Sequence, residues 1–170
     1  LPDISDGTLL TSSSGVGITM ADQWRLTTTF QTTSLAFITS NLERVDTYGY
    51  GKIGTGMSES SGEFSFPSTG IYLVRSVVNW YSVGGGVNYA RISIQTTTDN
   101  SNYNAAANSH SGVNNDGQYN NMTAELMLDV TDVSTHKVKF QTLGSNTNPR
   151  ILGDSSQNRT YFTFIRLGDT

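Results

Sequence analysis

His110 and His136 are the only imidazoles in the chain, so one copy cannot assemble a three-histidine metal site. Cysteine is absent altogether. That removes thiolate nucleophiles, disulfides and every zinc site that depends on cysteine. Serine and aspartate are plentiful, but no serine stands in a G-x-S-x-G elbow. The run Gly84-Gly85-Gly86 lacks the following Lys-Ser/Thr of a phosphate loop. The carboxylate pairs Glu59 with Glu63 and Glu125 with Asp129 read as surface charges. On extended chain each pair shares one face, which describes a solvated surface. The residues therefore describe a non-enzymatic protein with no catalytic, cofactor-binding or metal-ligating set. A glycan-processing site built from carboxylates between subunits is the enzymatic alternative.

Recognition chemistry is better represented. Tyr48-Gly49-Tyr50-Gly51 alternates rings with the residue that frees the backbone, the composition of a loop that presents aromatic surface. Residues 96–121 are rich in Asn and carry Tyr103, Asn114, Asn115 and Tyr119. A stretch of 26 residues without pattern is long for a compact domain, so it is expected to hold another strand or a functional loop. Amides hydrogen-bond sugar hydroxyls and tyrosine rings stack on sugar faces. Tyr48, Tyr50, Tyr103, Asn114, Asn115 and Tyr119 are accordingly the candidate partner-binding residues, with a host surface glycan or protein as partner. Asp99 and its polar neighbours offer oxygen ligands but lack the spacing and glycine of a calcium loop.

These loops need a scaffold, and its pattern is strongest at residues 62–81. Phe64 and Phe66 alternate with Glu63 and Ser65, Pro67 to Gly70 makes a turn, and alternation resumes from Ile71. Tyr72, Val74, Ser76, Val78 and Trp80 read as the core face. Ile71, Leu73, Arg75, Val77 and Asn79 form a second face too apolar to meet only water. Further strands are expected over 23–30, 35–38, 42–45, 87–95, 122–130, 136–143 and 160–167, with a polar loop over 144–157. In 160–167, Tyr161, Thr163, Ile165 and Leu167 oppose Phe162, Phe164 and Arg166, so this strand too carries bulky groups on both faces.

Phe66-Pro67-x-x-Gly70-x-Tyr72 with its following strand, and Thr160-Tyr161-Phe162-Thr163-Phe164-Ile165-Arg166-Leu167, resemble the central and last strands of the complement-head and tumour necrosis factor jelly-roll superfamily. The resemblance covers residues 20–168. It implies an all-β protein, a two-sheet antiparallel jelly-roll sandwich that forms a compact trimer and binds other macromolecules. A two-layer sandwich has one internal core, so a second apolar face needs a cover from other subunits. The axis-facing residues are expected to be Leu73, Arg75, Val77, Phe162, Phe164 and Arg166. Residues 1–19 read as a linker or amino-terminal arm and residues 20–170 as the jelly-roll domain.

The 170 residues suit one domain with a real core. Charged residues are only 14% of the chain, the net charge is -4, and Ser, Thr and Asn together make up a third. Such a surface has no broad basic field for nucleic acid and no apolar run for membrane insertion. Residues 15–53, with Ala21-Asp22-x-Trp24-Arg25-Leu26-Thr27 and Asn41-Leu42-Glu43-Arg44, look like modules in marine bacteriophage structural proteins. That resemblance implies a virion component at a fibre tip or decorating the capsid, with capsid or fibre protein as partner. A secreted bacterial glycan-binding or adhesion module is the alternative, which would be extracellular.

Overall fold

The computed structural model describes residues 17–170; the expected arm falls largely outside them. Thirteen strands are present and no helix occurs among the described residues. They are β1 Met20–Leu26, β2 Thr28–Gln31, β3 Ala36–Phe37, β4 Leu42–Arg44, β5 Ser58–Ser60, β6 Glu63–Ser65 and β7 Gly70–Ser82. Then follow β8 Val87–Thr97, β9 Asn104–Val113, β10 Tyr119–Val130, β11 Lys137–Gly144, β12 Pro149–Asp154 and β13 Tyr161–Gly168.

All pairings are antiparallel, and they build two sheets. In the first, the order is β2-β12-β7-β13-β1-β4, with β10 paired to the free side of β7. In the second, the order is β5-β6-β11-β8-β9, with β3 joined to β11. Two antiparallel sheets face to face with these crossovers make a jelly-roll sandwich. The strand predicted over 23–30 breaks at Thr27, whose amide leaves the ladder to bond the Asn41 carbonyl at 2.8 Å. The loop predicted over 144–157 instead contains β12, because Ile151 enters the core and pairs with Phe30 and Trp80 on either side. The Asn-rich stretch 96–121 contains β9, which pairs with β8.

The core lies between the sheets. Tyr72, Val74, Val78 and Trp80 of β7 are fully buried, as their alternation predicts, and so are Ala90, Ile92 and Ile94 of β8. Four phenylalanines sit at the centre. Phe140 stacks on Phe162 with centroids 3.8 Å apart, and Phe64 meets Phe164 at 5.1 Å and Phe140 at 5.6 Å. Phe162 and Phe164 are therefore core residues, fully buried by their own chain. This corrects their expected placement at an oligomer axis. Arg166 shares their side of β13 and is held at the end of the sandwich by the Thr69 carbonyl and Asp169. The other face of β13 carries Tyr161, Thr163, Ile165 and Leu167.

The Pro67-Gly70 turn has a physical basis. Phe66 packs on the Tyr72 ring at 4.6 Å, and the Tyr72 hydroxyl donates to the Ser68 carbonyl at 2.9 Å. Gly70 has φ +141°, which disfavours any side chain. A tighter turn joins β5 to β6, where Ser61 and Gly62 take φ +52° and +81°, the two-residue form that suits strand twist. A Cβ on Gly62 would also collide with the Ile38 carbonyl oxygen. Gly62→Ala is expected to cost more than about 1 kcal/mol, read as a lower denaturant midpoint with unchanged slope.

Candidate functional site

Asp22 stands on the inward face of β1, between Met20 and Trp24, and is only 2% exposed. A carboxylate there needs a full set of donors. Its Oδ1 accepts from Tyr50 OH at 2.7 Å, Gln23 N at 2.9 Å and Arg44 Nε at 3.0 Å. Its Oδ2 accepts from Met57 N at 2.8 Å and Trp24 Nε1 at 3.0 Å. Burial pushes the Asp22 pKa up, but the donors from Arg44, Tyr50, Met57 and Trp24 together outweigh it and hold the carboxyl below its ordinary value. The Tyr50 hydroxyl is pushed up to about 12, first by burial and then by its bond to Asp22. The guanidinium of Arg44 covers the Trp24 ring, 4.7 Å from its centroid.

The same ladder explains the paired stretches near residues 21 and 41. β1 and β4 align Trp24 with Arg44 and Arg25 with Glu43. Arg25, buried on the outer face of β1, donates to Glu43 at 2.7 Å, Asp46 at 2.7 Å and the Thr47 hydroxyl at 2.8 Å. Asp22-Arg44 and Arg25-Glu43 thus pin the segment after β4 from both sides. The importance of Asp22 was accessible from its phase: it shares the inward side with Trp24 and Leu26.

The pinned segment carries the tyrosine loop. Tyr50 is an anchor, since its oxygen also accepts from Gln23 N at 2.8 Å. Tyr48 is free, 86% exposed, with φ +54°. It forms one side of a cleft of about 410 Å³ that Thr47, Tyr50, Gln23, Gln157 and Asn158 also line. Thr47 Oγ1 donates to the Ser156 carbonyl at 3.1 Å, joining the loop to the segment between β12 and β13. Gln23 accepts from Asn158 Nδ2 at 2.6 Å and donates to Thr163 Oγ1 at 2.9 Å. The lining residues after Tyr50 lie some 100 positions away in sequence, where no local pattern marks them.

The other candidate residues are dispersed. Tyr103 is tied down: its hydroxyl donates to Glu63 at 2.6 Å, and Lys139 sits 4.2 Å from its ring. That hydroxyl bond, ahead of Lys139, lowers the Glu63 pKa. The Asn114 and Asn115 amides donate to Gln118 Oε1 at 3.0 Å, closing the turn before β10. Tyr119, 68% exposed, stacks on Tyr81 at 5.3 Å. Asp99 accepts from the Asn102 side chain, the Asn102 and Ser101 amides and the Thr97 hydroxyl, which hold its carboxyl well below the carboxylate range. Asp154 is lowered likewise by Ser156, then Arg159 and the Gln157 amide. These oxygens serve turns, and no cluster of metal-ligating side chains occurs among the described residues. His110 packs edge-on to Tyr89, while the ring of His136 meets the Asp132 carbonyl at 3.0 Å.

A second surface is formed by the outer face of the first sheet. The register sets Met127, Leu73, Ile165 and Ala21 in one row across β10, β7, β13 and β1. The next row is Glu125, Arg75, Thr163 and Gln23, and the next holds Thr123, Val77, Tyr161 and Arg25. Met127 is 71% exposed. Arg75 and Glu125 face each other at 3.8 Å, each half exposed. Leu73, Arg75 and Val77 do lie on this outer face, together with Ile165 and Tyr161 in place of Phe162 and Phe164.

The architecture defines the class: an all-β, two-sheet antiparallel jelly-roll sandwich. Its particular form is that of the tumour necrosis factor-like jelly rolls. Murine APRIL at pH 5.0 superposes with a TM-score of 0.61 at 13% identity, covering 87% of this chain and 98% of that one. Eiger TNF from S. frugiperda gives 0.66 at 11% identity, covering 89% and 94%. At such identities the likeness establishes the fold. No protein-family model and no curated protein sequence matches the chain.

Proposed function

We propose that this protein is a non-enzymatic recognition module that works as a trimer, closed on the outer face of β10, β7 and β13. The observation that carries the reading is the row Met127-Leu73-Ile165, with Val77 and Tyr161 two rows on, bulky apolar groups on the side of the sheet away from the core. Threefold closure is the assembly typical of the jelly rolls it resembles. It would bury this face and sandwich the Arg75-Glu125 row between apolar layers. The setting proposed is the surface of a bacteriophage particle, at a fibre tip or on the capsid shell. A low-charge, Thr- and Asn-rich composition supports this, as do the two stretches that pair as β1 and β4. Three copies on one axis would give attachment its avidity.

Native mass spectrometry tests the assembly. The expected species has three times the chain mass of 18.4 kDa, and a monomer at micromolar concentration overturns the reading. Cryo-electron microscopy of the source particle tests the setting, with density for this chain on shell or fibre expected and its absence from the particle decisive against it.

A further inference from the structure

We infer that the cleft beside Tyr48 is a binding site for an uncharged saccharide. This deepens the recognition reading, on which it rests for its purpose, by naming the partner's chemistry. Four observations lead there.

The first is the Tyr48 ring, 86% exposed on a loop whose neighbours are fixed. Its φ of +54° is a conformation that an aromatic residue rarely keeps, whereas two of the other non-glycine residues with positive φ are asparagines, for which it is ordinary. Backbone held in this region collects at ligand-contacting segments. An accessible flat ring offers the apolar C–H face of a pyranose a stacking partner.

The second is the lining. Gln157, Asn158 and Thr47 line the cleft together with Tyr48, and no residue lining it carries a formal charge. Neighbouring charge is spent within the chain, Arg25 on Glu43 and Asp46. An anion would find no free cation here, and a wholly apolar ligand would strand the amides. Vicinal hydroxyls on an apolar ring frame fit both requirements.

The third is an unmet acceptor. Asn158 Oδ1 is sealed from solvent without a donor, although Asn158 Nδ2 is bonded to Gln23. Buried amide oxygens ordinarily have a partner. Asn158 lines the cleft, so this acceptor without a donor belongs to a residue of its wall.

The fourth is preorganisation. Both walls are held by hydrogen bonds within the chain. Tyr50 is locked to Asp22 and Gln23 N, and the facing segment is wound around Asp154, which accepts from Ser156 N at 2.8 Å and Ser156 Oγ at 2.7 Å. The volume of about 410 Å³ falls within the ~300–1,000 Å³ of small-ligand sites.

The test is a glycan array bearing glucose-, galactose-, mannose- and N-acetylglucosamine-terminated oligosaccharides, with sialylated and sulfated glycans as counter-probes, read on whatever assembly the protein forms. Wild type is compared with Tyr48→Gly, which removes the ring while suiting the positive φ, and with Tyr48→Phe, which keeps it. Retention of at least one neutral class is expected, with at least tenfold weaker binding in Tyr48→Gly and near wild-type binding in Tyr48→Phe. Failure to retain any neutral glycan, retention of charged glycans alone, or equal binding by Tyr48→Gly overturns the inference. Native mass measured on the same samples separates this outcome from failure of the trimer, since a trimer that retains no neutral glycan refutes only the saccharide site.

Discussion

Asp22→Ala is expected to lower the melting temperature by on the order of 10 °C, the largest effect of any single polar substitution in this chain. The change removes the acceptor for Arg44, Tyr50, Trp24 and the Met57 amide at once. Trp24 Nε1, the Tyr50 hydroxyl and the Met57 amide are left without an acceptor at about 1–3 kcal/mol each, while Arg44, 34% exposed, is partly rehydrated. At this chain length each kcal/mol moves the midpoint by roughly 2–4 °C. Asp22→Asn keeps the shape and one acceptor but turns an amide group toward a donor, so a smaller loss is expected. The acid limb carries a second signature. The folded pKa of Asp22 is depressed, so its contribution is complete above the unfolded value near ~4 and disappears as pH falls through the folded value. Denaturant titrations between pH 5 and pH 2 should show wild type losing stability more steeply than Asp22→Asn. Parallel slopes would mean that the hub does not hold an ionised carboxylate. Tyr48 should also lose its fixed setting in Asp22→Ala, because Tyr50 is released two residues away.

Ile165→Asp is expected to abolish the trimer while leaving the subunit folded. Ile165 lies on the outer face between Leu73 and Ala21, so the monomer loses little when its side chain becomes charged. In the closed assembly three carboxylates would be buried beside an Arg75 that already faces Glu125, at about 3–5 kcal/mol each. Native mass should therefore show only monomer, with the far-ultraviolet spectrum and cooperative melting retained. Phe162→Ala, three residues earlier on the same strand, is the contrast. Its ring is stacked on Phe140 inside the core, and truncation should cost about 3–5 kcal/mol of fold stability. If Ile165→Asp stays trimeric, or Phe162→Ala dissociates without losing stability, the two faces of β13 have been assigned the wrong way round.

That assignment marks the limit of what alternation reveals. Where only one face is apolar, as on β8 and β10, the inward residues are legible directly. β13 reads Tyr-Phe-Thr-Phe-Ile-Arg-Leu, with bulky groups at both phases. Its phase is set by which rings meet Phe64 and Phe140, strands distant in sequence. β12 was hidden for a related reason. Ile151 and Leu152 stand alone amid Asn, Pro, Arg, Gly and Asp, and the pairing of Ile151 with Trp80 and Phe30 makes the segment a strand. Of the site, the Tyr-Gly-Tyr loop was visible in composition, whereas Gln157 and Asn158 join it through tertiary contact. The wide scatter of the other aromatic candidates has the same origin: Tyr103 and Tyr119 sit at opposite ends of β9 and its neighbours, and composition carries no address.

The pairing of β1 with β13 has a consequence for biosynthesis. Gln23 bonds Thr163 across 140 positions, and the phenylalanine cluster draws on β6, β11 and β13. Neither the central ladder nor the ring stack can close until β13 has been synthesised. Loop closure over such separations is slow, and the nascent chain must carry unpaired strand edges until β13 is available. Closure of this domain therefore waits on β13. A chain stalled or cut before Phe162 would present β7 and β1 with an empty lane between them, an open invitation to the same strand of a neighbouring copy.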